Sequence, residues 1–317
     1  SRKANLTAES SQRREQQARA TLADLLNAYP IAYPFLCCGD VFDRFTNPEQ
    51  VVLDAYQTFA GERTVHLLAG NHDVDQRVGV CSSLALLKEV SADNLNIYLV
   101  TSRVRLSDAV ELVLVPHCLS QELFERELDR VEAEATAGQI LVLHCNYDLT
   151  FAADHISLNL TRARAERLLT RFRYVLLGHE HVAREDFNGR LVVVGSHYPT
   201  AFDNLTDKRH LLLDLDTGEL KSVTHWAASE QVYHGPAEAA PDGLSFYDLT
   251  GEVDPKLPVR LFKQGALGVR TRQPTATAST TLTVPAPEWL PDVITRELAD
   301  QPELQALWQT LREKADA

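Results

Sequence analysis

The sequence predicts an α/β fold in which two mixed β-sheets form a layered sandwich, with helices outside and a smaller C-terminal region. Two observations support this prediction. Short apolar runs alternate with amphipathic segments early in the chain, and several strand-like runs are grouped later. A length of 317 residues suits one large domain, or a core domain with a smaller one.

The elements of the first half follow from apolar spacing and from residues that start helices. Glu9 to Tyr29 is an amphipathic helix, because its apolar residues recur at helical intervals. Pro48 opens the next helix, since proline is favoured in a first turn. The full prediction is strands at 32–38, 64–69 and 96–100, helices at 48–59, 82–90 and 121–135, and a hairpin at 104–106 and 112–115.

The second half adds strands at 139–143, 174–177 and 191–194, a helix at 161–170, and a hairpin at 211–216 and 220–226. Beyond Trp226 the prolines become frequent, and Thr271 to Thr283 is a low-complexity stretch of Thr, Ala and Ser. Two short helices are predicted at 291–299 and 302–314. We therefore divide the chain into residues 1–226 and residues 227–317.

Composition restricts the function. With 44% hydrophobic and 24% charged residues, the chain is typical of soluble globular proteins. Five cysteines without framework spacing predict reduced thiols and a cytoplasmic location. A net charge of -13 argues against a general nucleic-acid binder. It does not exclude a nuclease, because bound divalent cations reverse the local charge.

Four short motifs, each preceded by an apolar strand-like run, carry the chemistry. They are Gly39-Asp40-Val41-Phe42-Asp43, Gly70-Asn71-His72-Asp73, His144, and Gly178-His179-Glu180-His181. Strand ends place these motifs along one edge of a sheet, where metal ligands can converge. The predicted ligands are Asp40, Asn71, His144, His179 and His181. Imidazole, carboxylate and amide ligands suit Mn, Fe or Zn better than Ca or Mg.

The ligand types predict two divalent ions about 3.5–4 Å apart. Together these ions would hold the attacking hydroxide and a nonbridging phosphate oxygen during an in-line displacement at phosphorus. The two carboxylate oxygens of Asp40 can bridge both ions. His72 is placed to protonate the departing alkoxide, and Asp73 and Asp43 are candidates to orient His72 or a ligand. Glu180 is expected to face solvent.

The remaining histidines fit no ligand pattern, and each is more simply interpreted as a hydrogen-bonded residue outside the site. They are His66, His117, His155, His210, His225 and His234. His197 follows a strand in Gly195-Ser196-His197, and a position at the border of the site is left open for it.

The chain resembles the calcineurin-like metallophosphoesterase superfamily, and within it most resembles the SbcD-type DNA exonuclease subunits of bacteria and phages. The resemblance covers residues 9–225 and rests on the four motifs with their surroundings. These surroundings are Asn47-Pro48, Val115-Pro116, and the string from Gly195 to Phe202.

The resemblance implies that Asp40 bridges two ions, that Asn71, His144 and His179 hold one, and that His181 helps to hold the other. It implies His72 as the catalytic acid and Mn as the preferred ion. It also implies DNA as the substrate, a dimer of nuclease subunits and an SbcC-type ATPase partner. Residues 227–317 would then be the capping and partner-binding region, although this part matches poorly.

One family motif has no counterpart in the sequence. The family carries Asp-x-His on its first strand, as ligands of the second ion, but the first histidine of this chain is His66. The helix from Glu9 resembles the one that follows that strand. We therefore expect the motif to lie upstream of the sequence in hand, and an ion site would be impaired without it.

Three functions stay open at this point. The first is a Mn-dependent DNA exo- or endonuclease acting in repair, recombination or degradation. The second is a phosphomonoesterase resembling protein phosphatases, in which Arg44 would grip a terminal phosphate. The third is a metal-binding interaction module without catalysis.

Overall fold

Two β-sheets lie face to face at the centre of the protein. They are described from a computed structural model that covers residues 8–74, 82–90, 92–136, 138–149 and 158–272. The first sheet has the order β1-β2-β3, and its strands are parallel. These strands are β1 (Phe35–Cys37), β2 (Val65–Leu68) and β3 (Leu95–Tyr98).

The second sheet has the order β4-β5-β6-β8-β10-β9, with β7 paired to β6. Its strands are β4 (Ser102–Arg105), β5 (Glu111–Val115), β6 (Ile140–Tyr147), β7 (Asn159–Leu160), β8 (Tyr174–His179), β9 (Arg184–Asp186) and β10 (Leu191–Val193). Strands β5, β6, β8 and β10 are parallel, while β4 and β9 pair antiparallel at the two edges. This sheet is therefore mixed.

Helices cover the outer faces of both sheets. Apolar side chains of α1 (Ala8–Asn27), α2 (Glu49–Phe59) and α3 (Ser83–Glu89) pack on the first sheet. Helices α4 (Gln121–Ala133) and α5 (Arg162–Leu168) pack on the second. Ser82, Ser120 and Thr161 cap α3, α4 and α5 by accepting a backbone N–H, which explains where these helices begin.

Strand alternation determines which side chains lie between the sheets. In β6, Leu141 and Leu143 face the helices, whereas Ile140 and Val142 face the first sheet. His144 has the same parity as Val142, so it belongs to the inner face of the sandwich. The site histidine is thus placed by the same alternation that builds the core.

Further strands follow the sandwich. β11 (Lys208–Leu213) and β12 (Leu220–Trp226) form an antiparallel hairpin, and β13 (Val232–Pro236), β14 (Phe246–Thr250) and β15 (Gly268–Arg272) form a third sheet. Helices α6 (Ala228–Gln231) and α7 (Lys256–Lys263) accompany them. Tyr198, Trp226 and Phe246 share one buried cluster, which packs the third sheet against the preceding segment.

The prediction of an α/β fold with several sheets flanked by helices is confirmed. Several boundaries were wrong. β6 runs beyond His144 to Tyr147, β1 begins at Phe35 rather than at residue 32, and β11 spans Lys208–Leu213 rather than 211–216. The third sheet was not predicted. Of the described helices, none combines the length and the apolar character that a membrane span needs.

The division at Trp226 stays a prediction. The described residues up to Thr271 belong to one compact unit. The predicted helices at 291–299 and 302–314, and the low-complexity stretch beyond Arg272, lie outside the described residues.

Candidate metal centre

Four ligand-type side chains meet at one end of the two sheets. Asp40 follows β1, Asn71 follows β2, and His144 and His179 belong to β6 and β8. One ligand atom from each of Asp40, His144 and His179 lies within 4.8 Å of the others. Asn71 Oδ1 lies 3.0 Å from His144 Nε2 and 2.8 Å from His179 Nδ1. These four side chains form the metal centre discussed below.

The hydrogen bonding of His144 indicates that the centre suits a cation. His144 Nδ1 lies 2.8 Å from the carbonyl oxygen of Cys38, so the network assigns a proton to Nδ1. Its Nε2 then faces Asn71 Oδ1 at 3.0 Å and Asp40 Oδ2 at 3.2 Å. Both of these oxygens bring lone pairs, which either a proton on Nε2 or a divalent cation in its place would satisfy. The residues present therefore fit a metal ion bound by nitrogen and oxygen.

The protonation states of Asp40 and His179 favour ligation. Burial opposes the ionisation of Asp40, but the hydrogen bond and the charge of His144 lower the pKa of Asp40 to about 2. Burial opposes the protonation of His144 as well, but Asp40 raises the pKa of His144, so a metal ion would take the place of the Nε2 proton of His144. Burial and then the charge of His144 lower the pKa of His179 to about 4. An ionised Asp40 and a neutral His179 are the forms that bind metal ions.

Glycines allow the imidazole of His144 to fit between the two sheets. A Cβ on Gly39 would overlap the His144 ring, and a Cβ on Gly70 would overlap Asp40 and that ring. A Cβ on Gly178 would overlap the carbonyl of Cys38. The glycines that begin three of the four motifs thus provide the space in which the ligands converge.

Two of the four ligand-type residues have an unusual backbone conformation. Asp40 has φ +54° and His179 has φ +85°, in the left-handed region that non-glycine residues rarely adopt. Such conformations cost about 1–3 kcal/mol each and cluster at functional sites. Their occurrence at two adjoining ligand-type residues supports a functional role for this end of the sandwich.

Asp73 connects the two loops that carry Asp40 and Asn71. It is 1% exposed, and its carboxylate accepts N–H groups from Gly70 at 2.9 Å, Val41 at 3.3 Å and Phe42 at 3.4 Å. Burial raises its pKa to about 6, although the bond from Gly70 acts in the opposite direction. The carboxylate therefore holds the main chain beside the ligands.

His72 and Asp43 are both exposed at this end of the sandwich. The backbone N–H of His72 donates to Asp40 Oδ1 at 3.0 Å, and its side chain lines the cleft above the ligands. Asp43 makes no side-chain hydrogen bond to another described residue and does not line that cleft. The structure therefore brings His72, but not Asp43, to the ligands.

The cleft beside the ligands has a volume of about 390 Å³. Its lining residues are Asp40, His72, Asn146, His179, Glu180, His181, Val182 and Asn204. His181 lines this cleft but is not part of the ligand group within 4.8 Å. Its Nδ1 lies 3.0 Å from Thr200 Oγ1 and 3.2 Å from Asn204 Nδ2.

The expectation that Glu180 faces solvent was wrong. Its side chain is 15% exposed and accepts the backbone N–H of Tyr147 at 2.7 Å. It also pairs with Arg184 at 2.7 Å, four residues along the chain. Glu180 therefore ties the turn that carries His179 and His181 to the end of β6.

Sequence reasoning missed His117, whose ring lies beside the centre. It is 8% exposed, and its ring centroid is 6.2 Å from that of His144. Burial and then the charge of His144 lower its pKa to about 4. A signal was present, because His117 follows β5, a strand parallel to and next to β6. His155 lies outside the described residues.

The sequence has two groups of arginines, at positions 162–173 and 270–272, and several of them pair with acidic side chains of the protein. Arg164 lies 2.7 Å from Asp129, and Arg167 lies 3.0 Å from Glu132, both on α4. Arg270 pairs with the buried Asp248 at 2.6 Å. These arginines are engaged within the protein, so they give little support to a phosphate-binding surface.

Comparison with known protein families gives a match. The family model of the calcineurin-like phosphoesterases matches residues 15–183, more than half of the chain and all four motifs. No curated protein matches the chain.

Proposed function

The chain belongs to the calcineurin-like phosphoesterase family, and on this premise we propose a binuclear-metal phosphodiesterase, acting as a Mn-dependent DNA exo- or endonuclease subunit. Family membership implies metal-dependent hydrolysis of phosphoesters. The convergence of the ligand atoms of Asp40, His144 and His179 is the observation that carries the proposal. The narrower assignment to DNA repair, recombination or degradation rests on the resemblance to SbcD-type subunits.

We assign the ligands as the motifs suggest. Asp40 would bridge two ions, and Asn71, His144 and His179 would hold the first of them. His181, which lines the same cleft as Asp40, would help to hold the second. When bound, the divalent cations supply Lewis-acid activation of water and of the phosphoryl group. Mn is our first choice of ion, with Fe, Zn or Mg as alternatives.

His72 is assigned as the general acid that protonates the leaving alkoxide. Its backbone N–H is anchored on Asp40 Oδ1 at 3.0 Å, while its exposed ring lines the cleft where the ester would lie. The Asp73 carboxylate accepts backbone N–H groups from both loops, and it thereby holds the loop of Asp40 against the loop of Asn71 and His72. Asp43 stays a candidate for orienting His72, but none of the contacts described for these residues supports that role.

The lining of the cleft supports a diester rather than a monoester substrate. A terminal phosphate is doubly charged near neutral pH, and arginine commonly binds it through two hydrogen bonds. The described lining contains neither lysine nor arginine. Arg44, the candidate for gripping a monoester, is exposed and does not line the cleft.

The direct test compares a model diester, bis(p-nitrophenyl) phosphate, with the monoester p-nitrophenyl phosphate in the presence of Mn²⁺. We expect a preference for the diester and Mn²⁺-dependent degradation of end-labelled duplex DNA. His72→Asn should lower diester turnover about 10²-fold or more with Mn²⁺ still bound. A preference for the monoester that Arg44→Ala abolishes would contradict the proposal. Mn²⁺ binding without turnover would favour the interaction module.

The remaining proposals, on partners, oligomeric state and location, follow from the resemblance to SbcD-type subunits. We propose DNA and an SbcC-type ATPase subunit as partners, a homodimer, and residues 227–317 as the capping and partner-binding region. We propose a cytoplasmic location, and the free thiols of Cys37, Cys38, Cys118 and Cys145 fit a reducing compartment. Sedimentation of the full chain tests the dimer, and a monomer at every concentration would contradict it.

A further inference from the structure

Among the described residues that line the cleft beside the metal centre, Val182 alone has an apolar side chain. It belongs to the segment 180–183, which joins β8 to β9, and it is 40% exposed. A single exposed valine on a protein surface needs no explanation. Val182 differs from such a residue in its place, because it lines the cleft in which the ester would lie.

The chain before Val182 is held by hydrogen bonds to two other strands. Glu180 accepts the backbone N–H of Tyr147, in β6, at 2.7 Å. The carbonyl oxygen of His181 accepts from the buried Lys208 Nζ, in β11, at 3.0 Å. Both residues that precede Val182 are therefore fixed to the body of the protein.

The chain after Val182 packs closely against a second loop. A Cβ on Gly195 would lie 2.9 Å from the backbone nitrogen of Ala183, so only a glycine leaves room for this approach. The segment that presents Val182 to the cleft is thus held on both sides. An apolar contact made by such a segment costs little ordering of the chain when a ligand binds.

The cleft can take more of a substrate than its phosphate group. Its volume of about 390 Å³ lies within the range of about 300–1,000 Å³ that is usual for pockets that bind drug-sized molecules. A diester in the cleft loses one substituent beside His72 and retains the other. His72 follows β2 in the first sheet and Val182 follows β8 in the second, so the two side chains can contact different substituents of one ester.

We propose that Val182 forms an apolar subsite for the retained substituent of the diester, which in the proposed DNA substrate is a nucleoside. The inference rests on the proposed function, because it takes the cleft as the place of diester hydrolysis. A nucleoside has apolar faces on its base and sugar that an aliphatic side chain can cover. Because this contact is the same in the bound substrate and in the transition state, it should affect KM rather than kcat.

The test compares two esters that share a leaving group and differ in the retained substituent. They are thymidine 5′-(p-nitrophenyl phosphate) and methyl p-nitrophenyl phosphate, each hydrolysed by the full chain with Mn²⁺. Val182→Ala should raise KM for the nucleoside ester about three- to fivefold, with kcat within about twofold of wild type. Both constants for the methyl ester should stay unchanged.

Two further variants serve as controls. Val182→Ile keeps the apolar surface, so KM for the nucleoside ester should stay within about twofold of wild type. Val259→Ala shortens an exposed valine of α7 that does not line the cleft, and it should change neither constant.

An equal rise in KM for both esters in Val182→Ala would overturn the inference, because the change would then act on the metal centre and not on the nucleoside. An unchanged KM for the nucleoside ester would overturn it as well. If wild type hydrolyses neither ester, the proposed function fails, and calorimetric binding of a dithymidine phosphorothioate with Mn²⁺ decides the inference. Weaker binding by Val182→Ala would then support the subsite, whereas equal binding, or none by wild type, would overturn it.

Discussion

Two histidine-rich regions of this protein differ in how their polar atoms are matched. In the metal centre, His144 Nε2 faces two oxygen atoms that bring lone pairs, from Asp40 and Asn71. The second region consists of Tyr29, which follows α1, His210 of β11, His225 of β12 and His197, and we call it the histidine chain. In the histidine chain, donors and acceptors alternate without a mismatch.

The order of protons in the histidine chain can be followed atom by atom. The hydroxyl of Tyr29 donates to His210 Nε2 at 2.6 Å. His210 Nδ1 then donates to His225 Nδ1 at 3.3 Å, and His225 Nε2 donates to the carbonyl of His197 at 2.7 Å. With both rings neutral, these contacts are satisfied by the protein alone.

The comparison indicates that a cluster of histidines is not by itself a candidate metal site. The same side chain serves as a closed hydrogen-bond link in one region and as a candidate ligand in the other. The surroundings make the difference, because lone pairs that face each other need a metal cation or an added proton between them, whereas alternating donors and acceptors need neither. The predictions below test this difference, from the largest expected effect to the smallest.

Asp40→Ala should have the largest effect. Asp40 is the carboxylate of the ligand group, and its oxygens also hold the backbone N–H of His72. We expect Mn²⁺ binding to fall about 100-fold or more and diester hydrolysis to disappear, measured by calorimetry and by initial rates. Retained hydrolysis in this variant would refute the assignment of Asp40 as the bridge.

Gly178→Ala should damage the centre without removing any ligand. The added methyl group would overlap the carbonyl of Cys38, which accepts the Nδ1 proton of His144. We expect a loss of about 1–3 kcal/mol in the free energy of unfolding, since added atoms in a packed site force the backbone to shift. Chemical denaturation measures this loss, and a weaker stabilisation by Mn²⁺ should accompany it. Wild-type stability and Mn²⁺ affinity would contradict the close packing around His144.

Acidification should weaken the histidine chain. Burial and then the charge of His225 lower the pKa of His210, and burial lowers that of His225, with Lys208 adding to the effect. The folded state therefore prefers neutral rings, so stability is fully present above the unfolded pKa of about 6.5 and is lost as pH falls below it.

The measurement is thermal unfolding of the metal-free protein between pH 7 and pH 5. His210→Gln combined with His225→Gln should show a shallower dependence on pH than wild type. Both proteins keep His117 and His179, so contributions from the metal centre cancel in the comparison. Equal slopes would mean that protonation of the histidine chain does not affect folding.

Much of the site could be predicted because its signals are local in sequence. Apolar runs that end at Gly39, Gly70 and Gly178 place their polar neighbours at one edge of the sandwich. Period-2 alternation along β6 likewise puts His144 on the inner face, although the sequence did not show that the strand continues to Tyr147.

The rest depends on contacts between distant parts of the chain. Nothing near His181 in sequence shows that Thr200 and Asn204 hold its ring, and nothing near Tyr29 indicates His210. The strand β13 was missed because it is short and ends in Gly235 and Pro236, which usually signal turns. Glu180 was misplaced because its partner Tyr147 lies on another strand.

The most direct measurement is a crystal structure of the full chain grown with Mn²⁺, with data collected at the manganese absorption edge. We predict anomalous density among Asp40, Asn71, His144 and His179, and none between His210 and His225. Density between His210 and His225, or its absence from the metal centre, would contradict the view that unmatched lone pairs mark the site of metal binding.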